Sequence, residues 1–238
     1  MGSAAQVRAL EHRPGVAWTE LAGCEVACDW SGCLYWPAER LLVVADLHLE
    51  KGASLAARGH LAPPYDTIAT LDRLDHHIAE WQPRVVIALG DSFHAEQASA
   101  AMPETFRRRL TNLMAGRDWV WIAGNHDPLP PAGLGGTTAE ELCVGPLRFR
   151  HEPVAGSERG ELSGHLHPVA RLIRRGRAVR RPCFAGDGDR MILPAFGAFT
   201  GGLNLRDRAF SRLFDEDRLV AHVTGRGRIY TLAFRQLS

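Results

Sequence analysis

The chain has 238 residues, 45% hydrophobic and 23% charged, the balance of a soluble globular protein long enough to bury a sizeable core. Its formal net charge of +1 excludes a global field that would gather polyanions, so nucleic-acid binding would need a local basic patch. Five cysteines, an odd number, argue against a disulfide framework, and no apolar run reaches membrane-spanning length.

In chain order, Val16 to Trp36 reads as short strands with turns at Gly23 and Gly32. Cys24, Cys28 and Cys33 cluster there, but no fourth thiol or histidine lies close enough in sequence to complete a tetrahedral metal site. Leu41-Leu42-Val43-Val44-Ala45 is a continuous apolar run, which suggests a strand buried on both faces. Asp66 to Trp81 reads as a helix with Leu71, Leu74, Ile78 and Trp81 on one stripe and Asp66 or Thr67 as its cap. A second apolar strand, Val85 to Leu89, precedes Gly90-Asp91. Pro103 to Met114 reads as another helix, with Phe106, Leu110 and Met114 inward. A third strand, Trp119 to Ala123, runs into Gly124-Asn125-His126-Asp127. Strand-helix-strand-helix-strand implies an α/β core.

After Pro128 the texture changes. Leu129 to Thr138 reads as a loop, and short strands follow: Leu147 to Arg150, Glu161 to Ser163, Val169 to Arg174, Ala178 to Ala185, Met191 to Leu193, Leu219 to Val223 and Ile229 to Phe234. A single domain over residues 1–238 is expected, because this half supplies polar residues the first half needs. A reducing, cytoplasmic setting is expected as well.

Three buried strands each end in polar residues: Asp46 and His48, Asp91, and Asn125-His126-Asp127. In open α/β sheets ligands bind outside the carboxyl ends of the strands, so these residues should meet in one crevice. Asp-x-His on an extended strand would aim both side chains the same way. The second half adds His151 after a strand and the turn Gly164-His165-Leu166-His167. Two carboxylates, one carboxamide and four imidazoles suit manganese, iron or zinc better than calcium or magnesium.

The ordered blocks Asp46-Leu47-His48, Gly90-Asp91, Gly124-Asn125-His126-Asp127, His151 and Gly164-His165-Leu166-His167 resemble the calcineurin-like metallophosphoesterases. The resemblance implies a four-layer β-sandwich flanked by helices, with two divalent cations, manganese foremost, at the sheet edge. It implies that Asp46, His48 and His167 hold one cation, that Asn125, His151 and His165 hold the other, and that Asp91 bridges them. Two such cations can clamp both the attacking and the leaving oxygen of an in-line displacement. His126, flanking a ligand, is then placed to stabilise developing charge or protonate the leaving group, oriented by Asp127 or Asp91.

Longer blocks narrow the resemblance. Leu47 to Gly59, Pro63-Pro64-Tyr65-Asp66-Thr67, Gly90-Asp91-Ser92-Phe93-His94 and Leu193 to Gly202 are similar to the bacterial ligase-associated metallophosphoesterases. That group implies a DNA endonuclease of the DNA-damage response, working beside a DNA ligase and a helicase.

The residues bear on substrate separately. Between Leu162 and Ala185 stand Arg171, Arg174, Arg175, Arg177, Arg180 and Arg181 with no acid. The segment reads as a hairpin turning at Arg175-Gly176, whose arginines could follow a nucleic-acid backbone by charge. Lys51, Arg58 and His94 follow metal-bearing strand ends and could touch phosphate. The expected substrate is DNA, as single strands or as nicked and flapped ends. Small nucleotide-type diesters or monoesters are the alternative, and a non-catalytic scaffold is a third reading that the complete ligand set disfavours.

Overall fold

The computed structural model describes residues 14–57, 59, 65–95, 97–129, 131–156 and 159–238, with backbone alone at Ala57 and Arg174. Arg58 and the Pro63-Pro64 pair lie outside the described residues.

The first half contributes strands β1 (Val16–Leu21), β2 (Cys24–Asp29), β3 (Leu34–Trp36), β4 (Leu41–Ala45), β5 (Val85–Leu89), β6 (Asp118–Ile122) and β7 (Thr137–Ala139). Its helices are α1 (Lys51–Ala57), α2 (Asp66–Trp81), α3 (Ala98–Ala101) and α4 (Glu104–Met114). The second half is almost entirely extended: β8 (Glu141–Val144), β9 (Leu147–Arg150), β10 (Glu161–Ser163), β11 (Pro168–Arg174), β12 (Arg177–Gly186), β13 (Arg190–Ile192), β14 (Leu203–Asn204), β15 (Val220–Thr224) and β16 (Ile229–Ala233).

Strands β1 to β7 form one sheet in sequence order. It is antiparallel from β1 to β4 and parallel from β4 to β7. The second sheet runs β14-β11-β12-β13-β10-β9-β8, with β15 on β12 and β16 on β15. The two sheets pack face to face. Leu41, Val43 and Ala45 of β4 point into the core between them, with Phe149, Leu162, Phe184 and Met191 from the other side. Leu42 and Val44 point outward and meet Leu71, Leu74, Ile78, Leu110 and Met114 of the helices. Every residue of β4 is therefore buried, which explains the unbroken apolar run, and each of its leucines and valines contributes about 1.5–3 kcal/mol. The outer face of the second sheet is closed by irregular chain and the 3₁₀ turns Arg208–Phe210 and Phe234–Gln236.

Helix α2 buries the expected stripe, but its expected caps do other work. Tyr65 takes the N-cap position without a side-chain bond. Asp66 Oδ2 instead accepts from the Gly52 N–H at 3.0 Å, and Thr67 Oγ1 from the Glu50 N–H at 2.8 Å. Both bonds fasten the chain just after His48 to the helix. The strand β7 overlaps the end of the stretch expected to be loop. It is a three-residue edge strand, too short for alternation to signal it. The clustered cysteines do not converge: Cys28 Sγ contacts Met191 Sδ at 3.8 Å, while Cys33 lies beside Asp29 and His77 in a buried seam. All five cysteines are free thiols.

His222 on β15 is 3% exposed, and burial lowers its imidazole from 6.5 to about 4. Its Nδ1 lies 2.9 Å from Thr231 Oγ1 across the ladder. Below pH 6.5 the unfolded chain takes up a proton that the folded chain refuses, so stability falls as pH drops towards 4. His222→Gln is expected to remove on the order of 2 kcal/mol of that acid loss. Parallel urea titrations at pH 7 and pH 4.5 in EDTA check this; equal acid losses in both proteins would refute it.

Candidate metal centre

Parallel pairing brings Ala45, Leu89 and Ile122 level at the carboxyl ends of β4, β5 and β6. Asp46, Asp91 and Asn125 follow within three residues of those ends. The second sheet delivers His151 just after β9, and His165 and His167 just after β10. All seven expected ligands thus reach one edge of the sandwich.

Asp46 and His48 do not get there as alternate positions of a strand. The strand ends at Ala45, and both residues adopt the left-handed backbone region, with φ 53° and 44°. Asp91 (43°), His165 (67°) and His167 (45°) do the same. Such conformations cost side-chain-bearing residues about 1–2 kcal/mol each and persist only where surroundings over-determine them. Here the loops hold one another: His48 N–H donates to Asp91 O at 2.9 Å, Leu49 N–H to Ser92 O at 2.9 Å, and His94 N–H to Leu49 O at 3.0 Å. Space is as tight as the backbone. A Cβ on Gly124 would collide with the Asp91 amide and carboxylate, and one on Gly90 with the His151 ring. Glycine precedes these polar residues because the neighbouring ligand fills the room a side chain would need.

Two clusters result. Asp46, His48 and His167 form one, with His167 Nε2 3.2 Å from Asp46 Oδ1 and 3.4 Å from His48 Nε2. Asp91, His151 and His165 form the other, joined by Asn125. Asn125 Oδ1 lies 2.9 Å from His151 Nε2 and 3.0 Å from His165 Nδ1, and those two nitrogens are 3.3 Å apart. Asp91 reaches both clusters: Oδ1 is 3.4 Å from His151 Nε2, and Oδ2 is 4.0 Å from His48 Nε2. Donor atoms separated by about 3–3.4 Å match a cation bound roughly 2.1 Å from each.

The second contacts fix which nitrogen faces inward. His151 Nδ1 lies 3.1 Å from Leu89 O, and His167 Nδ1 3.1 Å from Gly201 O. With those protons donated to carbonyls, each Nε2 turns a lone pair towards oxygens that are themselves acceptors. Lone pairs gathered this way repel unless a positive charge sits among them, so the donor set fits divalent cations. The electrostatics agree. Burial would raise Asp91, but His151, the His126 N–H and His48 outweigh it and hold the carboxyl down to about 2. Burial pushes His48 down to about 4, leaving its imidazole neutral and able to ligate. Burial opposes protonation of His151 too, yet Asp91 and Asp46 pull it up to about 9, a measure of the site's demand for positive charge.

Around the clusters, His126 is exposed, its ring stacked on His94 with centroids 5.6 Å apart and planes 16° apart. Of the two carboxylates expected to orient it, Asp91 Oδ2 comes within 3.9 Å of His126 Nε2. Asp127 does not take that role. Its Oδ2 accepts from the Phe93 N–H at 3.0 Å, so it ties the β6 loop to the β5 loop. Lys51 stands at the start of α1 and donates to Phe199 O at 3.3 Å. The arginines are carried on the β11–β12 hairpin, which leaves the site directly after His167. The groups that sequence reasoning missed are the carbonyls of Leu89 and Gly201, which orient two imidazoles; backbone atoms leave no residue signature.

Residues 39–217 match the family model of the calcineurin-like phosphoesterases. The chain belongs to this family. The crystal structure of Pseudomonas putida nuclease MPE superposes with a TM-score of 0.69 at 34% identity, covering 91% of this chain and 100% of that one. Yfce, a phosphoesterase from E. coli, is 14% identical with a TM-score of 0.41, over 82% of this chain and 98% of the other. No curated protein matches. As a calcineurin-like phosphoesterase, the chain is a hydrolase acting on phosphoester bonds, and its donor clusters suit a dinuclear divalent-metal site.

Because Asp91 addresses both clusters, Asp91→Asn is expected to reduce manganese binding below two ions per chain. It should also lower phosphodiester hydrolysis by at least about 100-fold, since even residues that only support ligands cost 10–100-fold. Calorimetric metal titration and a chromogenic diester assay check this; two ions bound with near-normal turnover would dismiss the shared carboxylate.

Proposed function

We propose that this phosphoesterase is a manganese-preferring phosphodiesterase that cuts DNA. In this reading Asp46, His48 and His167 hold one cation, Asn125, His151 and His165 hold the other, and Asp91 lies between. The observation that carries it is the position of Asp91, whose two carboxylate oxygens face different imidazole clusters. The nuclease MPE, 34% identical over 91% of this chain, supports a nucleic-acid substrate, and the sequence blocks favour DNA. A DNA-repair setting beside a ligase and a helicase rests on the sequence blocks alone.

Bound divalent cations supply Lewis-acid polarisation of the phosphoryl oxygens and make the attacking water more acidic. The chain's own residues do the rest. Asp91 holds the His126 N–H at 2.9 Å and keeps a negative oxygen near its ring. His126, exposed at the mouth, is placed to donate a proton to the leaving oxygen. The His94 ring stacks beside it.

The hairpin offers the backbone contacts. In its ladder Arg171 pairs with Arg180. Like charges directly opposite destabilise a strand pair, a cost that a polyanion would reverse. Arg175 and Arg177 are exposed near the tip, and Arg180 Nη2 also donates to Gly202 O at 3.0 Å.

Two outcomes test this. His126→Ala should keep its metal content while slowing hydrolysis by roughly 10²–10⁴-fold. The deficit should shrink for p-nitrophenyl esters, whose leaving group needs no proton; loss of metal in elemental analysis would make His126 a ligand instead. Replacing Arg174, Arg175 and Arg177 by Ser should weaken DNA cleavage while sparing a small diester. The log–log salt slope of DNA binding should flatten by about 2, at roughly 0.7 per lost contact to a single strand. Equal loss on both substrates would assign the hairpin a structural role.

A further inference from the structure

The segment Phe196–Gly202 runs alongside the first donor cluster and is fastened to it on both sides. Phe196 N–H donates to Ala45 O at 2.8 Å and Gly197 N–H to Asp46 O at 3.1 Å. Ala198 N–H donates to Thr70 Oγ1 at 2.9 Å, and Thr200 Oγ1 to Gly197 O at 3.0 Å. Gly201 O receives the His167 ring nitrogen, and Gly202 O receives Arg180. The backbone of this segment is therefore fastened close to His167.

Two phenylalanines stand on it with opposite fates. Phe196 is fully buried, with the Arg73 guanidinium 4.9 Å from its ring centre. Phe199 is 63% exposed, so the core makes little use of it. Its φ is 59°, in the left-handed region that a bulky residue adopts only under constraint. Glycine occupies positions 197, 201 and 202 of the same segment, yet the strained position carries an aromatic ring. The Phe199 carbonyl binds Lys51, three residues beyond His48. Two residues of chain, at most about 7 Å, separate Phe199 from Gly201, which orients His167. An open cleft of about 330 Å³ is lined by Thr200 and Gly201 of this segment together with His167, Arg180 and Arg181.

An exposed ring two residues from the carbonyl that orients His167, on a segment whose backbone binds Lys51 and Arg180, matches the chemistry of a nucleotide: a flat base joined to an anionic phosphate. We propose that Phe199 stacks on the nucleobase next to the phosphate being cleaved and so selects substrates whose bases are free to leave their own stack. This rests on the reading of DNA as substrate and names a residue that sets its strand preference. A paired base is already covered on both faces, so duplex would lose this contact while a single strand keeps it.

The test uses the full-length manganese-loaded enzyme as wild type, Phe199→Ala and Phe199→Tyr. The substrates are a single-stranded oligonucleotide, the same oligonucleotide with one central abasic nucleotide, and methyl p-nitrophenyl phosphate. Phe199→Ala should raise KM for the intact oligonucleotide roughly 5- to 150-fold, the worth of one base–aromatic stack. Its rate on methyl p-nitrophenyl phosphate should stay within about twofold of wild type, as expected for a residue outside the metal centre. Phe199→Tyr should behave as wild type. On a sequencing gel, wild-type cleavage should dip at the linkages beside the abasic nucleotide, and Phe199→Ala should show no such dip. An unchanged KM in Phe199→Ala, or an equal dip in both proteins, overturns the proposal. A matched fall on the small ester with loss of metal also overturns it, since the ring would then merely support the loop. If the wild type hydrolyses the small ester but no oligonucleotide, the DNA reading itself fails, and this shows before any variant is compared.

Discussion

The site depends on one buried carboxylate. Asp91 sits in a left-handed backbone conformation at the end of β5, and each of its polar groups has a separate task. Its carbonyl takes the His48 N–H, its Oδ1 takes the His126 N–H, and its two oxygens face two imidazole clusters. Moving it would unfasten the loops after β4, β5 and β6 together. The glycine at position 124 has no room for a side chain for the same reason: Asp91 occupies it.

Strain and rigidity are linked here. Five of the seven expected ligands hold unfavourable backbone angles, a cost of several kcal/mol in all at about 1–2 kcal/mol each. A loop on its own would relax. These loops cannot, because β4 and β5 are fully or almost fully buried between two packed layers and pair in register. The sandwich core thus stabilises a set of turns that would not persist alone, and bound cations would offset part of the same cost.

How much the sequence disclosed follows from these physics. The apolar runs of β4, β5 and β6 and the stripe of α2 were readable because burial imposes period and composition. That Asp46, His48, Asp91, Asn125, His151, His165 and His167 would meet at one edge was readable because polar residues at the carboxyl ends of buried strands converge there. What was not readable is instructive. The Asp-x-His spacing suggested a strand, yet both residues lie beyond it, since pointing two side chains at one place can be achieved by paired left-handed residues as well. Asp66 and Thr67 have the residue types of helix caps but serve the neighbouring loop, because a side-chain acceptor binds whichever N–H tertiary packing presents. Asp127 looked like a partner for His126; its carboxyl bonds the Phe93 amide, where burial pushes it up to about 7. Strand β7, three residues long, carries no periodicity at all.

The near-zero net charge conceals an asymmetry across the centre. On the hairpin side the open cleft is lined by Arg180 and Arg181. On the opposite side a second cleft, about 370 Å³, reaches Asn125 and His151 and is lined by Glu140, Glu141 and Glu152. Among the described residues its lining cation is Arg150, already committed with Nη2 2.6 Å from Glu141 and Nη1 3.5 Å from Glu161. An anionic chain is therefore attracted along one flank and repelled along the other, over distances within about one Debye length of 8–10 Å. Charge balance summed over the molecule says nothing of this, because opposite signs were placed on opposite sides of the same pair of clusters. The field that matters is the local gradient. The local field differs in sign between the cleft lined by Glu140, Glu141 and Glu152 and the cleft lined by Arg180 and Arg181, so an anionic phosphoester reaching the centre would meet the two flanks differently.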